Sequence, residues 1–98
     1  MARGFNVKYS SIHGKGVFAK GWITRGQIID IVSFETNIIT PRSVDDGDGN
    51  YYDFYSPFNF LNHSDDPNTI LWCHRGQFTL EVIRSITKDE EVTFDYEG

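Results

Sequence analysis

Apolar and polar residues alternate from Phe5 to Tyr9, with Phe5, Val7 and Tyr9 on one side and Asn6 and Lys8 on the other. That period of two predicts a half-buried strand. Ser10 to Gly16 break the alternation. Gly14 and Gly16 flank Lys15 just ahead of the apolar run Val17-Phe18-Ala19, so the backbone can turn tightly there and come close to a ligand. A lone G-x-G reads first as a hairpin turn. Gly21 to Gln27 read as a turn into Ile28-Ile29-Asp30-Ile31-Val32, a β-branched run short enough for a buried strand, and Thr36 to Thr40 predict another. Thr69 to His74 and Gln77 to Ile83 are strand-like runs that Arg75-Gly76 joins as a hairpin. Ser85 to Glu90 then turn the chain into a last alternating segment, Glu91-Val92-Thr93-Phe94-Asp95-Tyr96. Ile23-Thr24-Arg25-Gly26-Gln27-Ile28-Ile29 is echoed by Ile86-Thr87-Lys88-Asp89-Glu90-Glu91-Val92, which predicts two similar turn-into-strand units. No segment sustains helical periodicity, so helices are expected to be few and short.

Composition strengthens this picture. Eight Phe, five Tyr and two Trp in 98 residues favour pleated surfaces, and nine Gly supply turns. The length predicts a single domain, residues 1–98. A formal net charge of −5 disfavours direct nucleic-acid binding, which needs clustered Lys and Arg, and favours a basic protein or peptide as partner. Cys73 is the single cysteine, so no intrachain disulfide and no four-cysteine zinc site can form. With no apolar leader and no run approaching the ~20 apolar residues of a membrane span, the chain reads as soluble and intracellular.

The chemistry gathers in Asn59-Phe60-Leu61-Asn62-His63-Ser64-Asp65-Asp66-Pro67-Asn68, polar groups and a turn proline set within and behind apolar residues, as a ligand site requires. Ahead of it, Tyr51-Tyr52-Asp53-Phe54-Tyr55-Ser56-Pro57-Phe58 serves either as core filling or as an aromatic channel for a cation, and Pro57 breaks any helix there. The acidic loop Asp45-Asp46-Gly47-Asp48-Gly49-Asn50 does not fit a calcium loop. With Asp46, Asp48 and Asn50 as the first ligands, the turn glycine would fall on Tyr51 and the bidentate glutamate on Pro57. His13, His63 and His74 lie in separate segments without metal-ligand spacing, so no metal is expected. Asn62-His63-Ser64 matches a glycosylation acceptor by pattern alone. A hydrolase built on Ser64 or Cys73 with His63 lacks the glycine pattern of a nucleophile elbow.

Taken in order, three segments resemble a SET domain, the fold of most protein-lysine methyltransferases that use S-adenosylmethionine. Gly14-Lys15-Gly16-Val17-Phe18-Ala19 is similar to the family's opening G-x-G segment, Asn59 to Asn68 to its R-F-x-N-H-S-C-x-P-N segment, and Glu90 to Tyr96 to its E-E-L-T-F-D-Y segment. The resemblance implies a mostly β, SET-domain (β-clip) fold of short strands and small sheets, with a C-terminal pseudoknot-like segment tucked beside Asn62-His63. It implies S-adenosyl-L-methionine as cofactor, approached by the backbone of Lys15 and Gly16, with the Asn62 side chain at its amino-acid end and the His63 backbone at its adenine. Tyr96 takes the place of the active-site tyrosine. Phe94 takes the Phe/Tyr position that influences how many methyl groups are added, so di- or trimethylation is expected.

Departures from the family pattern sharpen other expectations. Val32-Ser33-Phe34-Glu35 lacks the tyrosine of the family's Y-x-G-E segment, and Tyr51, Tyr52 and Tyr55 are the candidates to supply the missing channel aromatic. Asn59 replaces an arginine and Asp65 a cysteine. No cysteine-rich segment follows Tyr96, and a homodimer whose neighbour supplies a channel wall is expected. A basic protein, a histone tail among the candidates, is the implied substrate. The alternative is a catalytically silent β-rich module that binds basic or lysine-containing peptides.

Overall fold

The computed structural model describes residues 4–96. Ten strands run in chain order: β1 (Phe5–Tyr9), β2 (Lys15–Ala19), β3 (Ile28–Ile31), β4 (Ser33–Thr36), β5 (Val44–Asp45), β6 (Tyr51–Phe54), β7 (Asn62–His63), β8 (Thr69–His74), β9 (Gln77–Val82) and β10 (Glu91–Tyr96). The single helical element among the described residues is a 3-10 turn, Phe58–Phe60, that starts directly after Pro57. No described helix is long and apolar enough to cross a membrane. The larger sheet has the order β1-β2-β10-β8-β9-β3 with β7 also on β10, and β4-β6-β5 form a smaller sheet.

β10 is the strand on which the site depends. It pairs antiparallel with β2 through Glu91 and Val92, then parallel with β7, where Thr93 faces Asn62 and Phe94 faces His63. On its other side Phe94 to Tyr96 pair parallel with Thr69 to Leu71 of β8. β7 and β8 belong to one continuous segment, so the last strand is threaded between two parts of it, the pseudoknot-like arrangement implied by the sequence. Asn68 secures the threading: its Oδ1 accepts the Thr93 amide at 2.9 Å, and its Nδ2 donates to the Glu91 carbonyl at 2.8 Å. Where β8 has not yet begun, a buried amide side chain stands in for a neighbouring strand.

Val17, Leu80, Val82, Ile86 and Val92 are fully buried and form the centre of the core. Phe78 joins the two sheets, with its ring 5.3 Å from Tyr52 and 5.2 Å from Phe54. The two echoed segments meet each other. Ile23 and Ile86 exchange both backbone hydrogen bonds, at 2.8 and 2.9 Å, and each unit turns through a positive φ, at Gly26 and Asp89 respectively.

Two expectations are corrected. β3 is an edge strand rather than a buried one. No described strand pairs with its outer side, so Ile31 reaches the core while Ile28 and the following Val32 are exposed. The strand expected at Thr36 to Thr40 lies earlier, at Ser33–Thr36, because the Thr36 hydroxyl accepts the Ile38 amide and turns the chain.

Candidate active site

β10 carries Phe94 and Tyr96 into a cleft of about 350 Å³, whose opposite walls come from Ile12 and His13, from the Pro41–Val44 segment, and from Asn62 and His63. Phe54, Phe58 and Leu61 complete an apolar floor. Two of the segments singled out in the sequence, Asn59 to Asn68 and Glu90 to Tyr96, therefore meet in one concavity, and the glycine-flanked segment reaches it through the Lys15 carbonyl, which accepts from Asn62.

Asn62 is 3 % exposed, and three acceptors converge on one end of its side chain: the His13 carbonyl at 3.0 Å, the Lys15 carbonyl at 3.2 Å and Glu91 Oε2 at 2.9 Å. Only the amide nitrogen can sit among three acceptors. Its Oδ1 is thereby turned the other way and has no hydrogen-bond partner among the described residues, which leaves an acceptor for a ligand. A second acceptor on the wall, Asn59 Oδ1, is buried and also unpaired among the described residues. These two atoms fit a ligand that brings hydrogen-bond donors, as the ammonium end of an amino-acid-bearing nucleoside does. Gly16 leaves room here for the Glu91 carboxylate: a methyl group on it would overlap that carboxylate as it stands, forcing it to shift, and would lie 3.1 Å from Asn62 Nδ2.

The Tyr96 side chain remains half exposed at the mouth of the cleft, with its ring 5.3 Å from that of the buried Phe94. Loss of hydration raises its hydroxyl above the ordinary phenol pKa, and the carboxylates of Asp45 and Asp95 push the same way. Tyr96 therefore stays a neutral phenol at physiological pH. His63 Nε2 lies 3.0 Å from Asp95 Oδ1, while the Tyr96 amide and then His63 hold the Asp95 carboxyl below the usual range. That contact takes the His63 ring away from Ser64, whose hydroxyl instead accepts the Asp66 amide. A serine–histidine nucleophile is not assembled.

Lys15 approaches the site only through its carbonyl; its ammonium lies 5.7 Å from the Tyr9 ring centre. The three tyrosines proposed as channel residues sit outside this cleft. Tyr52 packs on Phe78 with its hydroxyl against Gly76, Tyr55 packs on Phe34 at 4.8 Å, and Tyr51 sits on β6 opposite Thr36, so none of them lines the cleft. Phe54 and Phe58 of the same stretch line it instead. Alternation sets Tyr51 and Asp53 on one face of β6 and Tyr52 and Phe54 on the other, where both rings meet Phe78; Phe54, at the end of the strand, also reaches the cleft, and the turn after Pro57 brings in Phe58. Arg42, which sequence reasoning passed over, fixes another wall by donating to the Leu61 carbonyl at 3.0 Å. The acidic loop closes on itself, with Asp46 accepting from Asp48 and Asn50. Among the described residues no group of three or more His, Cys, Asp or Glu side chains could hold a metal ion.

The SET domain family profile matches residues 14–97, and the chain belongs to that family. Two solved structures share the fold over the whole of this chain. One is a Plasmodium falciparum protein described as a candidate histone methyltransferase, with TM-score 0.71, 22 % identity and 96 % of that chain covered. The other is the methyltransferase domain of human PR domain-containing protein 2, with TM-score 0.75, 13 % identity and 80 % of that chain covered. At these identities the likeness carries the fold. No curated protein matches the sequence.

Proposed function

We propose that this chain is an S-adenosylmethionine-dependent protein-lysine N-methyltransferase that acts on a basic protein, with a histone tail as the first substrate to try. The observation that supports it most is the convergence of Asn62, His63, Phe94 and Tyr96 on one cleft through the threading of β10. In this reading Asn62 Oδ1 and the backbone of Lys15, Gly16 and His63 hold the cofactor, and Tyr96 is the catalytic residue at the point of transfer. The chain functions as one domain, and a second copy completes the channel wall beside the half-exposed Tyr96.

S-adenosylmethionine supplies a methyl carbon already activated by its sulfonium. What remains for the protein is alignment and drying, and alignment can lower the barrier of such a displacement substantially. Phe54, Phe58 and Phe94 provide apolar walls that disfavour an ammonium, so a lysine whose free pKa is about 10.4 is shifted toward its reactive neutral amine. Tyr96, held neutral, accepts or donates a hydrogen bond at the amine and does not serve as a base. The lysine proton leaves to solvent through the open mouth. Phe94 leaves space where a tyrosine would place a hydroxyl, which favours di- or trimethyl-lysine.

Incubation with methyl-labelled cofactor and a panel of basic proteins tests the proposal. Label should enter protein with the wild type and be lost with Tyr96→Phe. Peptide binding with no transfer would instead identify a silent binding module.

A further inference from the structure

Glu91 is a half-buried carboxylate at the start of β10 whose partners are uncharged. The Ser10 hydroxyl lies 2.7 and 2.9 Å from its two oxygens, and Asn62 Nδ2 donates to Oε2 at 2.9 Å. The ion pairs among the described residues join Lys8 to Asp89, His63 to Asp95 and Arg84 to Asp66, and none reaches Glu91. Gly16 makes room for this carboxylate in its observed position, which a methyl group there would overlap. A glutamine could satisfy Ser10 and Asn62 equally well, and withdrawing a carboxylate from water without a cation is costly. The negative charge therefore needs a use that shape and hydrogen bonding do not supply.

We propose that Glu91 is a positioning residue for a cationic group in the cleft, acting through the Asn62 amide. This rests on the methyltransferase reading, in which that group is the cofactor's ammonium. Glu91 draws on the Asn62 N–H, which fixes the amide with Oδ1 toward the ligand and raises the electron density on that oxygen. Hydrogen bonds in series strengthen one another in this way, and a carboxylate behind a metal-bound histidine raises ligand basicity by the same means. Ser10 holds the carboxylate in place. Because its amide is bonded to the Gly14 carbonyl at 2.7 Å, it also ties the loop that carries Ile12 and His13 to the same charge.

The test compares two probes by calorimetry and NMR titration. S-adenosylhomocysteine carries the amino-acid end, whereas 5′-methylthioadenosine has the same nucleoside without it. Glu91→Gln keeps the shape and removes the charge. It should weaken S-adenosylhomocysteine by about tenfold, the scale of one charge-assisted hydrogen bond, and leave 5′-methylthioadenosine unchanged. Ser10→Ala should give a smaller loss confined to the same probe, and it decides the matter if Glu91→Gln does not fold. Equal weakening of both probes, or of neither, overturns the role of Glu91 while the methyltransferase reading stands. A wild type that binds neither probe removes both.

Discussion

Replacing Asn68 with alanine should unfasten the last strand. The side chain is 1 % exposed and holds two backbone groups of β10, the Thr93 N–H at 2.9 Å and the Glu91 carbonyl at 2.8 Å. Alanine leaves both without partners where water has little access, and each buried unpaired group costs about 1–3 kcal/mol. The expected loss is therefore about 2–6 kcal/mol, a large share of the roughly 5–15 kcal/mol that holds a domain folded. Urea unfolding followed by tryptophan fluorescence reads it as a fall in midpoint at unchanged slope. Asn68→Asp keeps the acceptor for Thr93 but loses the donor and places a carboxylate near Glu90, so it should also destabilise, and less so in acid. A loss below about 1 kcal/mol for Asn68→Ala would refute the idea that this amide clamps β10.

Three other outcomes follow from the same geometry. Phe94→Tyr should restrict the product, so mass spectrometry is expected to find di- or trimethyl-lysine with the wild type and mostly monomethyl-lysine with the variant; monomethyl-lysine from both would contradict the role of Phe94. Gly16→Ala should abolish cofactor-analogue binding, because its methyl group displaces the Glu91 carboxylate on which Asn62 rests, and unchanged binding in a titration would show that the loop yields freely. The Asp95 carboxyl has its pKa lowered in the fold, so its contribution is present above the ordinary carboxylate value of about 3.9 and is lost as pH falls through the lowered one. The stability difference between wild type and Asp95→Asn should accordingly shrink from neutral to acid pH in a series of urea melts, and a difference that grows in acid would reverse the assignment.

Local signals in the sequence carried far because they act over a few residues. Arg75-Gly76 at positive φ makes the hairpin that joins β8 and β9, and the alternation of Phe5 to Tyr9 became β1 without a shift of boundary. The echo between Ile23 and Ile86 was visible as a pattern, although that the two units pair with each other was not. Long-range geometry was harder to read. Nothing in Tyr51-Tyr52-Asp53-Phe54-Tyr55 says which rings reach the cleft: Tyr52 and Phe54 both pack against Phe78, and of the two Phe54 alone lines the cleft. The motifs contain Asn68 and Glu91 as well as Asn62 and Tyr96, yet the parts that Asn68 and Glu91 play, bonds to groups more than twenty positions away, show only once β10 is threaded.

The central claim is that the cleft beside β10 moves a methyl group onto lysine, and the chemical identity of the product tests it most directly. Acid hydrolysis of protein labelled by the wild-type chain should release the label as Nε-methylated lysine, with none released after Tyr96→Phe. Label recovered in another amino acid, or an undiminished yield of methyl-lysine from Tyr96→Phe, would contradict the account.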